Sequence, residues 1–153
     1  MIKSIQVVRI VTRMNIGGPS LHVALLSNHL DPVRFSTSLI VGQADPSEGS
    51  RLRWVEQGPA RLHRVDSLRR PLNLWRDCKA FGSLLHLIWK ERPRVIHTHM
   101  AKAGALGRLA GHALAQEPSP APRVRLREGV TRDLGEKEAA SVRFGRELSG
   151  QRR

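Results

Sequence analysis

Four short, apolar, β-branched runs alternate with stretches of helical spacing, and this alternation constrains the chain more than any other feature. The runs are Ile5 to Val11, Phe35 to Gly42, Arg61 to Val65 and the segment beginning Arg94-Val95-Ile96-His97. The first is the pattern of a strand covered on both faces, as parallel strands are. Arg61 to Val65 carries more charge and is expected near a sheet edge. Strand and helix in turn give a right-handed parallel α/β sheet with helices on both faces. In such a sheet, ligands bind beyond the carboxyl ends of the strands. Each strand-to-helix turn is therefore where chemistry should be sought.

The first turn is Asn15-Ile16-Gly17-Gly18-Pro19-Ser20, ahead of a helix over Leu21 to Leu30 that Asp31-Pro32 closes. Paired glycines permit tight backbone, and Pro19 suits a first helical position. Free N–H groups at that helix start would favour an anion, which makes Gly17 and Gly18 candidate phosphate contacts. The alternative is a plain βα turn. The spacing is neither Gly-x-Gly-x-x-Gly nor a Walker loop, which speaks against dinucleotide and P-loop readings. Glu48, in the loop from Gln43 to Ser50, either contacts ligand hydroxyls or is solvated. Arg51 to Gln57 reads as a short helix. Arg69 and Arg70 meet either a phosphate or the solvent.

Asn73 is a suitable N-cap for the longest helix, which runs to about Arg92 and stops before Pro93. Leu74, Cys78, Phe81, Leu85 and Ile88 recur at helical spacing and predict one continuous apolar face. On that reading Cys78 is a core residue rather than a nucleophile. Trp75 and Trp89 are structural rather than base-stacking platforms.

The stretch from Val95 to Gly111 is the best-marked of all: a strand tip with two histidines running straight into a helix. If the strand extends through His99, period-two geometry places His97 and His99 on one side. Two histidines can begin a metal site, but no third ligand has fitting spacing, so no metal is expected. A strand-tip histidine can instead hydrogen-bond a hydroxyl or carbonyl near neutral pH. Gly104, Gly107 and Gly111 form a small-residue stripe that would let the helix lie close on the sheet. Lys102 lies near the crevice and is the better ligand candidate of the pair Lys102 and Arg108.

After residue 112 the character changes. Glu117 to Pro122 is a proline-rich linker, and Arg123-Val124-Arg125-Leu126-Arg127 alternates with arginine at every second place. A fifth, edge strand from Arg123 and a disordered tail after about Glu128 are both open. Glu136 to Leu148 has the pattern of a loose helix with little apolar face. The expected organisation is an incomplete domain over 1–116 and a linker with a poorly ordered basic tail over 117–153.

The 153 residues carry 26 Lys and Arg against 13 Asp and Glu, a formal charge of +13 with no Tyr. Such a balance points to an anionic partner: a phosphate-bearing ligand, an anionic membrane surface or nucleic acid. Nucleic acid is the weakest of these, since charge alone suggests it. The single Cys78 excludes an internal disulfide. No apolar run spans a membrane, and Arg9 and Arg13 interrupt the N-terminal apolar stretch, so a cytoplasmic protein is expected.

Three groups of residues together resemble a known family. They are Ile10 to Gly18 with Glu48-Gly49-Ser50, Leu68 to Asn73, and above all Arg92 to His99 followed by Ala101 to Ala110. This pattern resembles the N-terminal domain of GT-B glycosyltransferases of the retaining family-four type, which build bacterial polysaccharides and glycolipids. The resemblance covers about residues 4 to 115. It implies a Rossmann-like domain on the acceptor side of a cleft, with a separate domain binding the nucleotide sugar. It also implies that Gly17 and Gly18 belong to a loop near the donor phosphates. His99 then corresponds to the histidine lining the acceptor and sugar site, with Lys102 beside it. The implied substrates are a nucleotide sugar and a polysaccharide or lipid-linked acceptor, with no resident cofactor. The donor domain is not recognisable here. The expectation is a truncated copy or a half enzyme with a separate donor-domain subunit, inactive alone and cytoplasmic, either free or peripheral at the inner membrane face. A non-catalytic phosphate- or sugar-binding module, or a basic nucleic-acid-binding protein, is the alternative.

Overall fold

The structure, a computed structural model, describes residues 4–115 and 125–127. Five parallel strands form one sheet in the order β3-β2-β1-β4-β5. They are β1 (Ile5–Val11), β2 (Phe35–Gly42), β3 (Arg61–Val65), β4 (Val95–His99) and β5 (Arg125–Arg127). The helices are α1 (Gly18–His29), α2 (Leu52–Glu56), α3 (Leu74–Glu91) and α4 (Ala101–Ala115). A single 3₁₀ turn, Pro46–Glu48, sits between β2 and α2. The α/β expectation therefore holds, with β3 at an edge. Of the two readings left open past residue 122, the fifth strand is formed: Val95 pairs with Arg125 and His97 with Arg127. The pattern read over Glu136 to Leu148 lies outside the described residues.

Period-two alternation along β1 divides the interior into two layers. Val8 and Ile10, with Ile40 and Ile96, pack against Ala80, Leu84 and Ile88 of α3 and Ala103 and Ala110 of α4. Val11, Leu39 and Val41 pack on the other face with Val23 and Ala24 of α1 and Val55 of α2. Because both faces are covered, Val7 through Val11 are all buried.

The glycine stripe of α4 is a packing device. Gly104, Gly107 and Gly111 are buried. A Cβ on Gly107 would lie 2.9 Å from both Ile10 Cδ1 and Thr98 Cγ2, so the helix backbone can rest on the sheet only without one. Gly42 ends β2 under a tighter constraint, where a Cβ would fall 2.0 Å from the Leu68 carbonyl oxygen.

Helix α3 begins as expected, with the Asn73 side chain accepting from Arg76 N at 3.0 Å. Its buried side differs from the expected stripe. Ala80, Leu84 and Ile88 are its buried residues, with Phe81 and Leu85 partly buried beside them. Leu74 is 78% exposed, Trp75 86% and Trp89 58%, and Cys78 is exposed as well. At 100° per residue Cys78 falls about 120° from Leu84, outside the arc that Phe81 and Leu85 still share, whereas Leu74 is exposed as the first residue of the helix. The small Ala80 holds a core place that an apolar count gives little weight. Cys78, Trp75 and Trp89 are thus not core residues. No helix among the described residues is long and apolar enough to cross a membrane.

Candidate functional site

In this strand order β1 and β4 are neighbours whose following helices lead to opposite sides of the sheet. That is the topological switch point, where an open parallel sheet leaves a crevice. A cleft of about 650 Å³ opens there. Its walls come from the end of β1 (Thr12, Arg13, Asn15, Gly17), the loop before α3 (Arg70, Leu72) and the start of α4 (Met100, Ala101, Lys102).

Local chemistry sets each wall. Thr12 follows β1 directly and is buried; its hydroxyl accepts from Ala103 N at 3.2 Å, tying the strand end to the first turn of α4. Met100 makes the turn from β4 into α4 with φ of 71°, a left-handed conformation that costs a non-glycine residue. Its carbonyl accepts from Gly104 N at 2.8 Å, which holds the turn. The buried Ser20 hydroxyl donates to Asn15 Oδ1 at 3.1 Å and fixes the loop before α1. Arg13 Nε lies 3.0 Å from Glu48 Oε2, though its N–H is not aimed along that line. Glu48 is therefore neither a free ligand contact nor simply solvated.

Gly17 lines the cleft and Gly18 does not. Gly17 is extended, with φ of −175°, and a Cβ there would meet only Asn15 atoms at 3.9 Å. A Cβ on Gly18 would meet nothing within 4 Å. The expectation that these glycines serve tight backbone is corrected: the chain here needs no glycine. What their absence of side chains leaves is open space at the uncapped start of α1.

Lys102 lines the cleft, but its charge is committed. Its Nζ donates to Asp77 Oδ1 at 2.7 Å and to the Pro71 carbonyl at 2.5 Å, clamping α4 to the start of α3. Asp77 Oδ2 in turn accepts from Asn73 N. Arg69 reaches Gln43 and the Asp66 carbonyl. Arg70 is exposed on the cleft wall and has no bonding partner among the described residues, so it is the cation available to a ligand.

His99 does not itself line the cleft; it is in register with Val11 and immediately precedes Met100, which does. Its ring is 4.2 Å from that of His97, centroid to centroid, which confirms that the two share a side. His22 of α1 completes a group of three, 5.6 Å from His99. No three His, Cys, Asp or Glu side chains among the described residues are arranged to hold a metal ion. His99 is pushed down to about 3, first by burial and then by His97, His22 and Arg9. The ring is neutral at physiological pH, and its Nε2 is buried without a partner. Arg9 lies beneath, 3% exposed, its Nη1 3.5 Å from Thr37 Oγ1 and lowered to about 10 by burial.

Sequence reasoning missed His22, Arg9 and Asp77 as parts of this region. Strand parity gave a usable signal for one: Arg9 pairs in register with His97. For His22 and Asp77 no local pattern exists, because packing of α1 and α3 brings them in.

A parallel Rossmann-like sheet with a crevice at its switch point is the architecture of the N-terminal domain of the GT-B type. Residues 17–143 match the family described as Glycosyl transferase 4-like domain, and the chain belongs to that family. It is 38% identical over 63 residues to the Escherichia coli UDP-Gal:alpha-D-GlcNAc-diphosphoundecaprenol alpha-1,3-galactosyltransferase. That alignment covers 36% of this chain and 16% of the enzyme. A crystal structure described as a UDP-N-acetylglucosamine 2-epimerase from Listeria monocytogenes shares the fold, with a TM-score of 0.54 at 12% identity. The likeness covers 73% of this chain and 29% of that one. The chain thus spans less than a third of either protein.

Proposed function

We propose that this chain is the acceptor-side domain of a glycosyltransferase that moves a sugar from a nucleotide sugar to a polysaccharide or lipid-linked acceptor in the cytoplasm. The observation that carries the reading is the unpartnered, neutral Nε2 of His99 at the tip of β4, one residue before Met100 in the wall of a cleft with one uncommitted cation, Arg70. A neutral imidazole nitrogen can accept a hydrogen bond from a sugar hydroxyl or donate one to an oxygen, according to its tautomer. Arg70 and the start of α1 suit a phosphate oxygen. Gly17 and Gly18 leave the approach clear, and Lys102 holds the wall in shape through Asp77. The name of the Escherichia coli relative supports a lipid-linked diphosphate acceptor as one candidate.

The described residues supply one side of such a site. Stabilising a departing diphosphate needs donors aimed at it from the nucleotide side. We therefore propose that the domain, residues 1–116 with β5 added at the sheet edge, does not turn over without a donor domain, whether from a longer chain or a second subunit, and that the residues between α4 and β5 act as a linker and those beyond β5 as a basic tail. Joined to a family donor domain, the protein should transfer sugar, and His99→Ala should abolish transfer with the fold intact. Retained transfer in that variant would reject the assignment of His99.

A further inference from the structure

The outer side of α3 is the largest feature that the cleft does not explain. Trp75 and Trp89 fall 40° apart on a helical wheel and 14 residues apart along the chain, about 21 Å along the axis. They are 86% and 58% exposed. Cys78, Gly82 and His86 lie between them on the same side and are exposed too. Leu72 and Leu74, at the helix start, are 88% and 78% exposed. Two exposed tryptophans on one side of a helix, with only Cys, Gly and His between them and two exposed leucines at its start, mark an interaction surface.

The charges around that row are of one sign. Arg76, Lys79 and Lys90 are exposed, and among the described residues no carboxylate pairs with their side-chain charges. The helix has two acids, and both are spent on the inner side. Asp77 holds Lys102, and Glu91 takes Gln6, Ser38 and His63. The whole chain carries +13, so a second copy would meet this face with like charge. An apolar stripe with tryptophans at both ends and lysine and arginine along its flanks suits the boundary between lipid headgroups and acyl chains.

We propose that the outer face of α3, with Leu72 and Leu74 at its start, docks this domain flat onto an anionic lipid bilayer. Trp75, Trp89 and the two leucines enter the interface, and Arg76, Lys79 and Lys90 meet the headgroup charges. Leu72 also lines the cleft, so docking places the cleft mouth beside the membrane surface. The inference stands on α3 alone and needs no sugar, nucleotide or acceptor.

Co-sedimentation of the full chain with vesicles tests it, comparing phosphatidylglycerol-containing vesicles with pure phosphatidylcholine. Binding should be at least tenfold tighter to the anionic vesicles. Trp75→Ser with Trp89→Ser should weaken it at least tenfold, as should Arg76→Glu with Lys79→Glu, while Trp54→Ser leaves it unchanged. In Trp54→Phe, Trp89→Phe protein, the emission of Trp75 should shift to the blue on binding. No binding to anionic vesicles overturns the proposal. So does binding that the double tryptophan variant leaves intact, since charge alone would then carry it. A dimer that the same variant dissolves, without lipid, would assign the face to a second copy instead. The variants leave the cleft untouched, so sugar transfer by the joined protein tests the glycosyltransferase reading separately.

Discussion

The two faces of the sheet treat their buried polar groups in opposite ways. On the side of α3, Glu91 Oε2 accepts from Gln6 Nε2 at 2.8 Å and Ser38 Oγ at 2.7 Å, and Oε1 sits 3.1 Å from His63 Nε2. That network is closed. On the side of α1, Arg9 Nε, Ser27 Oγ and His99 Nε2 are buried without partners. A buried polar group left unmatched costs free energy and calls for an explanation. The closed network lies towards the amino ends of the strands and secures the fold. The open group includes the β4 tip, where ligands of such sheets arrive.

Removing the centre of the closed network should be the most damaging change. Glu91→Ala strands three partners at once and should cost about 3 kcal/mol in urea unfolding. A loss no greater than that of a surface alanine would erase the contrast. Gly107→Val presses on Ile10 and Thr98 and should cost about 2 kcal/mol, with an equal loss from Gly104→Val contradicting the reading that α4 rests on Gly107. A Cβ at Gly104 has only ordinary contacts, at 3.8 Å.

Acid acts on the other face. His99 binds its proton at about 3 when folded and near 6.5 when unfolded, so between those values the unfolded chain holds the extra proton. Stability should therefore fall as pH drops from 6.5 towards 3, by about 1 kcal/mol per pH unit. His99→Phe should flatten that part of the profile; an unchanged slope would remove the burial argument. The smallest effect on stability belongs to Gly17→Ala, within about 1 kcal/mol, because its extended backbone admits a side chain and only the N-cap preference for glycine over alanine is lost. Its effect should appear in ligand affinity, and an unaltered affinity would take Gly17 out of the site.

Much of the scaffold was legible because parallel strands announce themselves as apolar runs. Phe35 to Gly42 is a strand to the residue, and β1 likewise. The Asn73 cap and the histidine pair followed from short-range rules. What local spacing misjudged was which side of α3 is covered. Trp75 and Cys78 look apolar in sequence, yet burial depends on where α4 and the sheet lie, and Ala80 occupies the centre. For the candidate site, a turn after a strand pointed to Gly17, which lines the cleft, and a strand tip pointed to His99, which immediately precedes the lining Met100. The commitment of Lys102 to Asp77, and the approach of His22, depend on helix packing that no spacing encodes.

The account rests on the open face being the ligand-facing one, and isotope-labelled histidine side chains read that directly. Titrating a nucleotide sugar or a polyprenyl-diphosphate sugar into the protein, while following the ring nitrogens of His99 and His63, compares the faces in one sample. The prediction is a saturable shift at His99 Nε2 with His63 unmoved. Equal movement at His63, or none at His99 with either ligand, would contradict it.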